Sequence, residues 1–358
     1  MSTGPNKHFF LKAVGAFFVF CIAFELVLRL FGYGNYTIYR PDERLLWVPE
    51  PGRTVTVVNH QPITINHQGL RYAVDLQAKQ PDQFRVITLG DSTIQGWGVD
   101  DNSHFSAVLE KELNHGSCSK ERFQVASGGV NAYPNSLVAE KLKQIVEDDA
   151  VRPDVIVFGV SENSNLERLI KLQGADREKF LRRVELKSIV RRSAIYNFLI
   201  EDLLRKVAYY KLRHAIMAGT LGDMENLDMD LFNQNLQQSL DLCKAHHVQL
   251  MFLLMSVEGQ TPSSTLPPFA KAMLEFADKE HVPVVNMIPV MSTKDQAAMF
   301  MDPEHPTVAG NRVIAGELMK AVESLPNFTS ACDRSTGGDV KSAQTAPLVP
   351  AAAPLASR

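Results

Sequence analysis

Cysteine is scarce in this chain, and the few cysteines follow no ligand spacing. The 358 residues include four cysteines, and no Cys-x-x-Cys pair occurs. Structural zinc sites and disulfide-rich folds depend on closely spaced cysteines, so neither is expected to organise this protein. The ten histidines also form no zinc-type spacing. We therefore expect no metal ion, while one isolated disulfide stays open.

Several signatures of nucleotide and hydrolase chemistry are missing as well. The sequence contains no Gly-x-Gly-x-x-Gly run, no P-loop lysine motif and no Gly-x-Ser-x-Gly elbow. These absences argue against a dinucleotide-binding fold, a P-loop NTPase and an α/β-hydrolase fold. The formal net charge is −3 at pH 7, so nothing indicates a nucleic-acid partner.

The longest apolar run lies at the N-terminus, over residues 9–32. Its uncharged core, residues 13–24, has twelve residues, and the whole run has 24, which span a bilayer as a tilted helix. Lys7 and Lys12 precede the core and no clean cleavage site follows, which favours an uncleaved anchor over a removed signal sequence. A helix packed on the domain is the alternative. We expect residues 1–8 in the cytoplasm and the domain outside, in the periplasm or at the cell surface.

Two further segments flank the main domain. Residues 330–358 are rich in Ala, Pro, Ser and Thr and have no apolar period, which predicts disorder. Residues 33–83 hold short polar and aromatic pieces with many prolines. Within them, "TVTVVNHQPITINHQGLRY" alternates in a way that predicts two short strands around a turn at Gln61-Pro62. We interpret this segment as an N-terminal extension packed on the main domain.

Apolar strands alternate with helical patterns over residues 84–329. The predicted strands are 85–90, 122–127, 153–160, 248–257 and 282–287. The predicted helices are 104–113, 135–149, 235–247, 266–280 and 309–324. Strands that are apolar throughout and are joined by helices predict a parallel sheet covered on both faces, in a three-layer α/β/α sandwich. The charged residues 165–232 are predicted to form a helical insertion.

Side chains suited to acyl transfer follow the ends of these strands, where ligands bind in parallel sheets. Ser92 follows the first strand, and glycine-rich or polar loops, 127–133 and 159–165, follow the second and third. Asp302 and His305 precede the last helix. A serine needs a base, and a histidine oriented by an aspartate provides one. Taken singly, these residues fit a helix cap, a surface loop or a phosphate-binding loop. Their joint occurrence at strand ends favours catalysis.

Two of these stretches resemble the end blocks of the SGNH, or GDSL-type, hydrolase family. "VITLGDST" (86–93) resembles the first block, and "DPEHPTVAGNRVIA" (302–315) resembles the last. The resemblance covers residues 84–322 and implies a flavodoxin-like fold with no metal or organic cofactor. The upstream "INHQGLRY" (65–72) resembles the lead-in of membrane-anchored bacterial members.

The resemblance also implies roles for single residues. Ser92 is the implied nucleophile, and Asp302 and His305 are the implied catalytic pair. The family holds the oxyanion with three donors, of which the Ser92 backbone N–H is one.

The other two donors depart from the family pattern. Depending on the alignment, the second is the backbone N–H of Gly129 or of Ala132. The family's third block usually supplies an asparagine, whose place is taken here by Ser161, with Asn163 as the alternative donor. A hole with only two donors is expected to slow the reaction on the order of 10²-fold.

These observations predict a membrane-anchored serine esterase that forms an acyl-enzyme on Ser92. The expected substrate is a small-molecule or glycan acyl ester, with acetylated cell-envelope glycans as the favoured class. An O-acyltransferase with the same three side chains is one alternative, and a non-catalytic envelope or assembly protein with a degenerate fold is another. The basic insertion 165–232 is expected to set substrate choice, or to be a solvated helical face.

Overall fold

The computed structural model describes residues 7–34, 36, 39–56, 61–116, 122–160, 164–204 and 228–336. The strands in these ranges are β1 (Tyr39–Asp42), β2 (Leu46–Pro49), β3 (Arg53–Thr56), β4 (Pro62–Ile65), β5 (Gln83–Leu89), β6 (Arg122–Ser127), β7 (Val155–Gly159), β8 (Gln249–Leu254) and β9 (Val284–Asn286).

The helices in the same ranges are numbered from the N-terminus. They are α1 (Lys7–Leu30), α2 (Ser92–Gln95), α3 (Phe105–His115), α4 (Asn135–Glu147), α5 (Gly174–Val190), α6 (Ala194–Tyr196), α7 (Met229–Ala245), α8 (Pro268–Glu280), α9 (Met287–Ser292), α10 (Gln296–Met299), α11 (Val308–Glu323) and α12 (Pro326–Thr336). A 3₁₀ segment spans Ser164–Lys171, and a π-helical segment spans Asn197–Leu204.

A five-stranded parallel sheet lies at the centre, in the order β6-β5-β7-β8-β9. The register pairs Val86 of β5 with Val125 of β6 on one side and with Val155 of β7 on the other. β7 is buried along its whole length, as a strand covered on both faces must be. The predicted parallel sheet and three-layer α/β/α architecture are confirmed.

Alternate side chains of each strand enter separate cores on the two faces of the sheet, because strand side chains repeat every second residue. Ile87 and Leu89 of β5 point to the core that is covered by α4, α7 and α8. Val86 points to the other core, which α3 and α11 cover. The strands therefore end at one edge, with a helical layer on either side.

Two antiparallel hairpins, β1–β2 and β3–β4, precede the sheet. The β3–β4 pair agrees with the two predicted strands, but the turn was predicted too late in the chain, because Pro62 already pairs with Thr56 as the first residue of β4. Residues 57–60 lie outside the described part of the chain. The β1–β2 hairpin was not anticipated from the sequence. Arg71 bridges both to Ile65 and to Ser127 at the end of β6, and so joins the extension to the sheet edge. The domain boundary at residue 83 stays a prediction.

In the part of the chain that the structure describes, α1 contacts the domain through its C-terminal turns. Only 6% of its most apolar stretch is buried, and by length and composition it is a candidate membrane span. Glu25 accepts hydrogen bonds from the backbone N–H groups of Ala194 (2.8 Å) and Ile195 (2.9 Å). Arg29 donates to the carbonyl oxygen of Arg192 at 2.7 Å. The structure therefore does not show α1 packed along the domain.

The ordered part of the chain extends beyond residue 330, where disorder was predicted to begin. Helix α12 continues through residue 336, and residues 337–358 lie outside the described ranges. Phe328 stacks on Phe123 at 5.3 Å and meets Phe84 edge-on at 5.6 Å. Cys332 is disulfide-bonded, which settles the isolated disulfide that the sequence left open. Aromatic burial and this bond hold a segment whose composition alone predicted disorder.

The disulfide is expected to stabilise the domain measurably. Cys332→Ser should lower the free energy of unfolding by about 2–4 kcal/mol, because the unfolded chain regains entropy. Urea denaturation in detergent measures this difference. A thiol reductant should lower the wild-type protein to the level of the variant and leave the variant unchanged. A wild-type stability that is insensitive to reductant would contradict the prediction.

Candidate active site

A tight turn after β5 presents Ser92. A Cβ atom added to Gly90 would lie 2.2 Å from Ile94 Cγ1, so the close approach of α2 to the strand end requires glycine. Asp91 caps α2, since its Oδ1 accepts hydrogen bonds from the N–H (2.9 Å) and the hydroxyl (2.7 Å) of Thr93. The capping role that serines often fill is therefore taken by Asp91, and the Ser92 hydroxyl faces another partner.

The loop between α10 and α11 carries Asp302 and His305. A bridge between Phe300 and Pro306 closes this loop at its base. Within it, Asp302 Oδ1 accepts hydrogen bonds from the backbone N–H groups of Glu304 (3.0 Å) and His305 (2.8 Å). The carboxylate is thus fixed by its own loop, at the spacing Asp-x-x-His.

The serine, histidine and aspartate form one chain of hydrogen bonds. Ser92 Oγ lies 2.9 Å from His305 Nε2, although the two residues are 213 positions apart. His305 Nδ1 lies 2.8 and 2.9 Å from the two Asp302 oxygens. A histidine that donates from Nδ1 to a carboxylate keeps Nε2 as an acceptor for the serine hydroxyl. The structure brings together the three side chains that the sequence predicted would meet, and their catalytic roles stay a prediction.

The surroundings keep the Asp302 carboxylate charged. Burial by itself would raise the pKa of Asp302, but its hydrogen bond to His305 and the two backbone N–H groups hold that pKa below its ordinary value. Burial raises the pKa of the neighbouring Glu304, and the nearby charge of Asp91 adds to the rise. The indole of Trp97 lies 6.3 Å from the His305 ring and is 5% exposed. The Asp302 carboxylate therefore faces the imidazole in a largely dry setting.

The candidate oxyanion donors differ in how they are engaged. Ser92 is the first residue of α2, so its backbone N–H has no partner within the helix. The Gly129 N–H donates to Ser127 Oγ at 3.2 Å, whereas Ala132 adopts a left-handed conformation with φ of 65°. Ser161 and Asn163 lie outside the described residues, so their assignment as the third donor stays a prediction.

Arg71 holds the turn that follows α2, a role that was not predicted from the sequence. Its guanidinium donates to the carbonyl oxygens of Gln95 (2.8 Å), Gly96 (2.9 Å) and Val99 (2.8 Å). It also pairs with Asp101 at 2.9 Å. Arg71 is 5% exposed, and it lies in the "INHQGLRY" stretch of the family resemblance. That shared motif was the one signal that pointed to it.

No cluster of metal ligands was found in the part of the chain that the structure describes. Within those ranges, no three His, Cys, Asp or Glu side chains are grouped so that they could hold a metal ion. His305 has both ring nitrogens engaged, one with Asp302 and one with Ser92. This arrangement suits proton transfer at the serine oxygen.

The chain matches no protein-family model and no curated protein sequence. Among solved structures it is similar to the acetyl xylan esterase AlAXEase, at 15% identity over 67% of this chain and 100% of that one, with a TM-score of 0.40. It is also similar to the psychrotrophic esterase EstA from Pseudoalteromonas sp., at 12% identity over 68% of this chain and 98% of that one, with a TM-score of 0.40. A third similar structure is a GDSL-like lipase from Bacteroides thetaiotaomicron VPI-5482, at 12% identity over 69% of this chain and 92% of that one, with a TM-score of 0.38. These values are too low to carry an inference about activity, so the chemistry of this chain rests on its own residues.

Arg71 is expected to act as a positioning residue for Ser92. Arg71→Met leaves three buried carbonyl oxygens without their donor and loosens the turn after α2, and a displacement of about 1 Å can cost on the order of 10²-fold in rate. The measurement is the rate at which a fluorophosphonate probe labels Ser92, alongside the free energy of unfolding. Arg122→Met is the matched control, because Arg122 forms an exposed pair with Asp82. A folded Arg71→Met protein that is labelled at the wild-type rate would show that Arg71 does not position the serine.

Proposed function

We propose that this protein is a serine acyl-ester hydrolase of the SGNH type. The observation that carries the proposal is the continuous hydrogen-bonded chain from Ser92 through His305 to Asp302. The sequence blocks around these residues resemble those of the SGNH family. The non-catalytic alternative has no support from this geometry, because all three side chains are in reach of one another.

Acylation begins with attack of Ser92 Oγ on the ester carbonyl carbon. His305 Nε2 takes the hydroxyl proton, and Asp302 stabilises the resulting imidazolium. The tetrahedral intermediate then collapses, the ester C–O bond breaks, and His305 returns the proton to the departing alcohol oxygen. The acyl group remains on Ser92.

Deacylation repeats these steps with water. His305 takes a proton from the water as its oxygen attacks the acyl carbon, and the bond to Ser92 Oγ breaks as that oxygen is reprotonated. A carboxylic acid leaves. If a sugar hydroxyl replaced water, the same residues would perform O-acyl transfer.

We assign the oxyanion to the backbone N–H groups of Ser92 and Ala132. Gly129 is the weaker candidate, because its N–H already donates to Ser127 Oγ. A Cβ atom on Gly129 would lie 2.3 Å from the backbone nitrogen of Gln95, so this glycine serves close packing against α2. Ala132 holds a left-handed conformation that favours glycine, which supports aligning it with the family's donor glycine.

The membrane anchor is proposed to be α1, uncleaved. Its last turns bind the insertion through Glu25 and Arg29, and Phe198 contacts Phe24 and Tyr33 edge-on at 6.3 and 5.3 Å. A signal sequence that is removed would have no need of such contacts. Exposed apolar side chains lie on α5 and on the π-helical segment beside this junction: Leu186, Ile189, Leu199, Ile200, Leu203 and Leu204. Such a surface suits the headgroup region of a bilayer.

The domain is proposed to lie outside the cytoplasm. The disulfide at Cys332 supports this side, since disulfides persist in oxidising compartments and are rare in the cytosol. An extracytoplasmic esterase held at the membrane suits acetylated cell-envelope glycans as substrates. Their identity is proposed from the family resemblance and from this location.

Labelling with a fluorophosphonate probe tests the proposed chemistry. Ser92→Ala is expected to abolish labelling, and Asp302→Asn is expected to lower kcat on a simple acetyl ester on the order of 10⁴-fold, because the imidazole loses its orienting carboxylate. Ser103→Ala, whose hydroxyl pairs with Asp100, is the control. Probe labelling that survives Ser92→Ala would refute the assigned nucleophile. Acetate release that falls as an acylated glycan acceptor accumulates would identify the transferase instead.

Membrane extraction and a C-terminal reporter test the proposed anchor. The full chain should stay with membranes after an alkaline carbonate wash, because α1 spans the bilayer, whereas a chain that begins at residue 25 should be released. Alkaline phosphatase fused after residue 358 should be active, since it folds only outside the cytoplasm. Fusion of a cytoplasmic reporter is the control. An inactive phosphatase with an active cytoplasmic reporter would reverse the proposed orientation.

A further inference from the structure

A cavity of about 260 Å³ opens beside the loop that follows β6. The β1–β2 hairpin, residues 131–132 and helix α5 form its walls. Trp47, Phe180 and Val184 supply apolar surface within it. The cavity is slightly smaller than a pocket for a drug-sized ligand, which has about 300–1,000 Å³, so it suits one small chemical group with an apolar body.

The aromatic wall of this cavity is fixed in place. Trp47 donates its indole N–H to the carbonyl oxygen of Asn131 at 3.1 Å, and the Tyr133 hydroxyl donates to the Trp47 carbonyl oxygen at 2.6 Å. The Phe180 ring lies 6.0 Å from the Trp47 ring. The hairpin, the loop after β6 and α5 therefore meet in a preformed site.

Basic side chains line the cavity from α5 and the residue that follows it. Arg183, Lys187 and Arg191 are lining residues, and their spacing of four places them on one helical face. None of the described lining residues is acidic, although the chain as a whole has a net charge of −3. Arg182, one position away, is not a lining residue and pairs with Glu178 at 2.5 Å. Three basic side chains thus line the cavity wall that α5 and the residue after it form.

The cavity also adjoins the proposed reaction centre. Ala132 is one of its lining residues and is the proposed second oxyanion donor. We propose that this cavity binds a carboxylate or phosphate group of the ester substrate through Arg183, Lys187 and Arg191, with its apolar part against Trp47. Guanidinium and ammonium groups form strong charge-assisted hydrogen bonds with these anions. The assignment rests on the proposed esterase function and gives that function a preference for anionic esters.

A matched pair of esters tests the preference in the full-length protein in detergent. The anion 4-acetoxybenzoate and its neutral methyl ester carry the same reacting acetyl group. The wild-type protein should show the higher kcat/KM for the anion, and added salt should reduce the difference, because Arg183 and Lys187 are exposed and their charges are screened.

Variants of α5 test whether the preference for the anionic ester comes from the basic side chains of the cavity. Arg183→Gln and Lys187→Gln should each lower kcat/KM for the anionic ester about threefold to fivefold, mainly through KM. The neutral ester should be unaffected. Arg182→Gln is the matched control on the same helix and should change neither ester. Equal losses on both esters, or the same loss with Arg182→Gln, would overturn the proposal.

A binding measurement separates this proposal from the esterase function. The non-hydrolysable amide 4-acetamidobenzoate should bind the Ser92→Ala protein, and Arg183→Gln in that background should weaken binding by a similar factor. If the amide does not bind while the neutral ester is still hydrolysed, the proposed anion site is refuted and the esterase function is not. If neither ester is hydrolysed and Ser92 is not labelled while the amide still binds, the proposed esterase function is refuted and the anion site is not.

Two competitors identify the source of the anion. An oligogalacturonide should inhibit hydrolysis of the anionic ester if the natural substrate is an acidic glycan, and phosphatidylglycerol vesicles should inhibit if it is a lipid headgroup. Phosphatidylcholine vesicles are the neutral control. Either inhibition should be weakened by a similar factor in Arg183→Gln. Inhibition by neither competitor would overturn the assignment of this cavity to the substrate.

Discussion

The hydrogen bond of 2.9 Å between Ser92 and His305 constrains much of the rest of the structure. Proton transfer needs these atoms within about 2.6–3.2 Å, yet they come from opposite ends of the domain sequence. The parallel sheet places the end of β5 at the required edge. Helix α11 is tied to α3 by Asn311 Oδ1, which accepts a hydrogen bond from the Phe105 N–H at 3.0 Å. The loop before α11 is thereby positioned over the strand end.

The surroundings of this bond combine close packing with buried polar contacts. Glycines beneath Ile94 allow α2 to approach the sheet, and Arg71 holds the turn after it by its carbonyl oxygens. The N-terminal extension therefore supports the site as well as covering one edge of the sheet. The β1–β2 hairpin of this extension forms a wall of the cavity together with α5, which belongs to the insertion 165–232. The same insertion also binds the end of α1. The proposed site for the substrate and the junction with the anchor are thus built on one insertion.

The fold class was predictable because the central strands are largely apolar and each is followed by a helical pattern. The segments that were missed depend on contacts with distant residues. The β1–β2 hairpin has little local strand signal, and its Trp47 is held by Asn131 and Tyr133. Residues 330–336 have a composition typical of disorder but are helical because Phe328 packs between aromatic residues of two strands. The bonded state of Cys332 likewise depends on a second cysteine that its local sequence does not show.

The sequence by itself determined the alternation of strands and helices around the central sheet, the apolar N-terminal run and the positions of Ser92, Asp302 and His305 near the ends of elements. These features are local, since they follow from side-chain periodicity and from short motifs. Only the tertiary structure decided that Ser92, His305 and Asp302 join in one chain of hydrogen bonds, that Arg71 supports the turn, and that three basic side chains line one cavity. Such facts depend on distances and on competition for hydrogen-bond partners, and neither is encoded in the spacing of residues along the chain.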